Sequence, residues 1–157
     1  MNMDSKLLIK VESKELLAIL TDKNNNIVWK SSKSPVSEMY KEYFRGNFSE
    51  DEPYILYTNQ AGMAVGIILT KLNIVECHAV KMSECGLKLF KKSSIKFDYK
   101  ELIPLVKSSK DENKVCPIEK FLSEHDKQEE QWNFLKERFK NNDEPHNVCE
   151  WNPNTTN

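Results

Sequence analysis

No stretch of this sequence approaches the roughly 18 consecutive apolar residues needed to cross a bilayer. The longest apolar region, residues 61–69, is interrupted by Gly62 and Gly66. The first residues, MNMDSKLLIK, lack both a basic n-region and a long apolar h-region, so no secretory signal is read there. A cytoplasmic protein without a membrane partner is the expectation. There is no Cys-x-x-Cys pair: Cys77, Cys85, Cys116 and Cys149 are widely spaced. Without a secretory signal, such cysteines are expected to be free thiols rather than a disulfide framework. A strong charge of one sign is also missing. The formal net charge is −1, which gives no bulk attraction to nucleic acid.

At 157 residues, with 39% hydrophobic and 30% charged side chains, the chain is long enough to bury a core and is expected to form one domain over residues 1–140. Residues 141–157, NNDEPHNVCEWNPNTTN, have no periodicity, are rich in Asn and read as a mostly flexible tail. Charge is uneven along the chain. Residues 81–120 carry 10 Lys/Arg against 6 Asp/Glu, whereas residues 121–157 carry 4 against 8. The basic middle offers a site to an anionic small ligand; a lysine-rich face that is only solvated explains it as well.

Apolar runs at residues 16–20 and 27–29 flank TDKNNN, which predicts a hairpin because Asn tolerates positive φ. A short N-terminal helix is expected before it. Ser34 as cap, Pro35 at the first position and Gly46 as stop predict the next helix, with Val36, Met39, Tyr40, Tyr43 and Phe44 as its apolar stripe. YILYT (residues 54–58) reads as a buried strand, and residues 59–72, NQAGMAVGIILTKL, as an apolar helix whose small residues let it lie close to a sheet. IVECHAV (residues 74–80) is a strand. Ser83 caps a helix over Glu84–Lys92, and IKFDY (residues 95–99) is another strand. Residues 100–106 read as irregular and residues 107–114 as a polar loop. One helix opens at Pro117, and Asp126 with Glu129 predicts a capping box for the last. Alternating strands and helices after a hairpin imply a three-layer α/β/α sandwich, with a mixed sheet of about five strands.

This order, together with AGMAVGIIL, AVKMSECGLKLF and CPIEK, resembles the cytidine-deaminase-like fold. More narrowly it resembles a small prokaryotic domain-of-unknown-function family within that group, from about Lys14 to Phe139. The chain departs from that family at Met63, where a basic residue is usual, and at Ser109 and Lys110, which replace an Asn-Arg pair. The resemblance invites a test for zinc chemistry. Zinc deaminases place H-x-E at the start of one helix and P-C-x-x-C at the start of the next. Here the first begins NQAGMAVG, and the second offers Cys85 alone. One soft ligand does not make a catalytic zinc site, so neither a metal nor another cofactor is expected.

Cys116, in KVCPIEKF, has four readings: helix cap, thiolate activated by the helix dipole, redox-sensitive thiol, or small buried hydrophobe. Glu119 is placed to reach back to the cap as in a capping box. A reactive reading makes Cys116 a nucleophile assisted by Glu119 or His125. A binding reading gathers Asn59, Gln60, Ser83, Glu84 and Cys116 around the position that zinc would occupy. Such a pocket would take a small molecule, nucleotide-like by analogy alone. His78 and Cys77 are neighbours on a strand and point to opposite faces. His146 and Cys149, three apart, would need further ligands to hold a metal. A third reading is a homo-oligomeric interaction protein, because Trp132, Phe134 and Phe139 do not fit one narrow helix face.

Overall fold

Asp22 organises the first turn. In the computed structural model, which describes residues 3–46, 48, 52–108, 111 and 113–139, its Oδ1 accepts from the N–H groups of Asn24 and Asn26 at 2.8 and 2.9 Å. Asn25 takes a left-handed φ of 65°, which asparagine adopts more readily than most residues. The turn joins β1 (Ala18–Thr21) to β2 (Ile27–Ser31) as an antiparallel pair. Before it lies α1 (Ser5–Glu12), whose cap Asp4 accepts from the Lys6 N–H.

β3 (Tyr54–Ala61) pairs antiparallel with β1 and parallel with β4 (Ile74–Ser83), which in turn pairs parallel with β5 (Lys96–Ile103). The sheet order is β2-β1-β3-β4-β5. The helices are α2 (Pro35–Arg45), α3 (Met63–Lys71), α4 (Glu84–Lys92), α5 (Pro117–Ser123) and α6 (Gln128–Phe139). This is the expected α/β sandwich on a mixed five-stranded sheet. Alternation along the strands divides the core. Leu20, Leu56, Cys77 and Ala79 join the larger cluster with side chains of α2 to α6. Ile19, Ile55, Tyr57 and Val80 pack with Leu7, Leu8 and Val11 of α1 on the other face. No helix among the described residues is long and apolar enough to cross a membrane.

α3 is the middle helix of the thicker layer, in contact with α2, α4 and α5. Its residues 64–69 are all buried, which explains why it is apolar on every side. Glycines allow that packing. A Cβ at Gly86 would lie 2.8 Å from the Gly62 Cα, so the starts of α3 and α4 meet backbone to backbone.

Four boundaries differ from the expectation. Asn59, Gln60 and Ala61 continue β3 rather than open a helix, because Gln60 and Ala61 pair with Lys81 and Met82 of β4. β4 accordingly runs on to Ser83. β5 absorbs residues 100–103, whose partners on β4 include Lys81 and Met82. α6 begins at Gln128, which leaves Asp126 outside the cap position, so the Asp126–Glu129 capping box does not form. The aromatic residues of α6 find partners within the chain. Trp132 packs on Tyr40 and Tyr43, Phe139 on Tyr40, and Phe134 stacks on Phe121 at 3.9 Å. The tail 141–157, with His146 and Cys149, lies outside the described residues, as do Ser109 and Lys110.

Candidate functional site

After β5 the chain folds back on itself. Ser108 N–H donates to the Lys114 carbonyl at 2.7 Å, and Cys116 N–H to the Val106 carbonyl at 2.8 Å. With the Lys107–Val115 bridge these make a short antiparallel ribbon leading into α5. Gln60 fastens the ribbon to the end of β3. Its Oε1 accepts from the Lys107 N–H at 2.9 Å, and its Nε2 donates to the Lys107 carbonyl at 3.2 Å.

Cys116 is the N-cap of α5, with Pro117 in the first turn, yet its side chain forms no cap hydrogen bond. Glu119 does not complete a capping box either. It is 2% exposed and turns away from its own helix. Oε1 accepts from the Met63 N–H at 2.8 Å, and Oε2 from the Val106 N–H at 3.0 Å. The reason lies at α3, whose N-cap is Gly62 and so has no side chain to offer. A helix start leaves free N–H groups, and Glu119 supplies the acceptor from 56 residues away.

Around this latch lies a cavity of about 340 Å³. It is bounded by the end of β3, the starts of α2 and α3, the ribbon and α5. Val36, Val65 and Val106 contribute apolar wall; Asn59, Gln60, Cys116 and Glu119 contribute polar groups, and Lys14 and Lys107 contribute cations. Asn59 is held by a bond from its Nδ2 to the Val11 carbonyl at 2.9 Å. The structure thus places Asn59, Gln60, Cys116 and Glu119 on one cavity. Ser83 and Glu84 do not line it. Ser83 is buried and its Oγ accepts from the Gly86 N–H at 3.0 Å, as a cap; Glu84 is exposed in the first turn of α4.

Among the described residues the thiols are shifted up rather than down. Burial pushes the Cys116 thiol up; the nearby N–H groups of Glu119 and Ile118 pull it down by less, and the Glu119 charge adds to the rise. Cys85 is also raised, first by burial, against a contact with Ser83 that lowers it. His125 is not placed as a base for Cys116: it stacks on Phe121 at 3.9 Å and its Nδ1 donates to the Phe121 carbonyl at 2.8 Å. The zinc that the resemblance implies does not fit these residues. Ala61, Gly62 and Met63 at the start of α3 offer no side-chain donor suited to zinc, and the first turn of α4 offers Cys85.

Sequence reasoning missed Lys14, Val106, Lys107 and Ser108. Lys14 carried no local signal. It follows α1 with a left-handed φ of 66°, a conformation that usually favours glycine. The ribbon residues are brought in only by the fold.

The elements together define an α/β domain with a cavity at the carboxyl end of a central strand. Residues 7–139 match the family described as "Domain of unknown function (DUF1893)". The chain belongs to that family. The crystal structure of a DUF1893 family protein, TM1506 from Thermotoga maritima, is similar to it, with a TM-score of 0.65 and 25% identity over 85% of this chain and 90% of that one. No curated protein matches the chain.

Proposed function

We propose that this chain is a small-ligand-binding domain of deaminase-like fold, without zinc-deaminase chemistry. The observation that carries this reading is the cavity at Gln60 and Glu119. Its volume of about 340 Å³ falls in the lower part of the ~300–1,000 Å³ typical of small-molecule sites. It lies at the carboxyl end of β3, which pairs in parallel with β4, and open α/β sheets bind ligands at such ends. Apolar wall with a few polar groups is the usual composition of a binding site. Gln60 and Glu119 are fixed by backbone hydrogen bonds, so this lining is preorganised and little ordering entropy is lost on binding. A hairpin followed by parallel strands supports the deaminase-like assignment, and fold analogy then favours a nucleoside-like ligand. The reading of Cys116 as a nucleophile is less well supported, since its thiol is raised rather than lowered.

A thermal-shift screen of nucleosides and nucleotides tests this. A ligand at 100 times its Kd adds ~2.7 kcal/mol, which for a chain of this size raises Tm by ~5–10 °C. Val36→Trp should fill the cavity and abolish the shift while leaving the fold intact. No shift from any compound, or the same shift in the variant, would sink the proposal.

A further inference from the structure

α3, α4 and the α5–α6 pair enclose a second hollow, of about 480 Å³. It shares no lining residue with the first. Three lysines line it: Lys71 from the end of α3, and Lys88 and Lys92 from α4; Asp126 is the one carboxylate in its lining. Lys88 and Lys92 are four residues apart on the helix, where like charges repel. Among the described residues no carboxylate lies within ion-pair distance of any of these three ammonium groups. Lys71 instead sits 4.9 Å from the centre of the Trp132 ring. The negative end of a helix dipole accounts for lysines in a last turn, as at Lys71 and Lys92. It does not account for Lys88, in the middle of α4. Lys88 and Lys92, two of the basic residues in 81–120, thus border a concave site while their side chains, like that of Lys71, stay exposed.

We propose that this hollow binds a small, multiply charged phosphoryl compound. Three exposed lysines lining one cavity can turn their ammonium groups to several anionic oxygens on neighbouring phosphorus atoms, a better match than a single carboxylate, because each lysine is a separate point charge. The site does not depend on the first cavity binding anything.

Isothermal titration with inorganic tripolyphosphate is the test. The wild-type chain should bind it, and binding should weaken as sodium chloride is raised. Lys88→Gln/Lys92→Gln should weaken binding by about tenfold or more, since two of the three charge-assisted contacts are removed. Lys91→Gln, on the same helix but outside the hollow, should change it by less than about twofold. Val36→Trp, in the first cavity, should leave it unaltered. All four substituted positions lie on or near the surface, and unchanged thermal unfolding checks the fold. Absence of binding to the wild type would overturn the proposal. So would an equal loss in Lys91→Gln, which marks diffuse charge attraction, or a loss in Val36→Trp, which places the anion in the first cavity.

Discussion

The carboxylate of Glu119, on α5, accepts the N–H of Met63, at the start of α3, at 2.8 Å. Its other oxygen holds Val106, so one buried side chain joins a helix start, the ribbon and α5. Hydrogen bonds to a charged acceptor contribute ~1.5–3 kcal/mol each, and an orphaned buried N–H adds its own desolvation cost. Glu119→Ala is therefore expected to lose ~3–5 kcal/mol, which lowers Tm by ~6–20 °C for a chain of this length. Glu119→Gln keeps one acceptor but points an amide donor at a second N–H, so it should fall between. Thermal unfolding followed by circular dichroism measures both. A loss below ~1 kcal/mol in the alanine variant would mean that water replaces the carboxylate.

Three glycines of the layer should rank by what their added Cβ meets. At Gly86 it meets the Gly62 backbone at 2.8 Å, and at Gly62 it meets Glu119 Oε1 and Val106 Cγ2 at 2.5 Å. Backbone cannot step aside, and moving Glu119 breaks the latch, so Gly86→Ala and Gly62→Ala should each cost ~2–4 kcal/mol. At Gly66 the obstacle is the Leu89 side chain, at 2.6 Å. That side chain can change rotamer, and alanine improves helix propensity by ~1 kcal/mol, so Gly66→Ala should be close to neutral. Urea unfolding gives the order. Gly66→Ala more damaging than Gly86→Ala would refute the backbone-contact argument.

Local chemistry was readable where the responsible groups are close in sequence. TDKNNN makes its turn through Asp22 and the next four residues. Gly46 ends α2 with φ 69°, and Ser83 caps α4. What could not be read depends on distant partners. Residues 59–61 look helical until β4 lies beside them, because pairing overrides the local pattern. Glu119 has the spacing of a capping box but meets a stronger claim from a helix whose cap is glycine. Cys116 and Gln60 could be singled out as residues, but only the ribbon brings Lys107 to them. The mildly basic middle of the chain was visible as a charge count; the hollow that two of its lysines line together with Lys71 was not.

His78 shows how burial grades a contact with a carboxylate. Its Nε2 lies 2.6 Å from Glu76 and its Nδ1 2.8 Å from Asp98, with the Glu76 side chain 13% exposed and that of Asp98 57%. Its ring packs against Tyr57 at 5.2 Å. An exposed partner contributes ~0–1 kcal/mol, so Asp98→Asn should cost no more than that. His78→Phe keeps the stacking but leaves Glu76 enclosed without its hydrogen-bond partner, a loss of ~1–3 kcal/mol. The double variant Glu76→Leu/His78→Phe should recover part of it, since the stranded carboxylate is gone. Urea unfolding of the set measures the coupling. Equal costs for Asp98→Asn and His78→Phe would contradict the role given to burial.

Alkaline pH should destabilise the fold through its thiols. Burial raises Cys77, Cys85 and Cys116 above the ordinary thiol value of 9.0, and raises Tyr57 above 10.0. Below 9.0 both folded and unfolded chains keep these protons, and the stabilisation is fully present. As pH rises past 9.0, the unfolded chain releases thiol protons that the folded chain retains. The unfolded state then binds fewer protons, so stability falls with rising pH until the folded thiols ionise too. Tm should be level from about pH 7 to 8.5 and decline above it, with a shallower decline in Cys116→Ala. The same shift controls reactivity, because only the thiolate attacks. Iodoacetamide should therefore label Cys116 slowly at neutral pH, at a rate still climbing above pH 9.0. A labelling rate that has already levelled off below about pH 8 would place the thiol below its ordinary value and restore Cys116 as a candidate nucleophile.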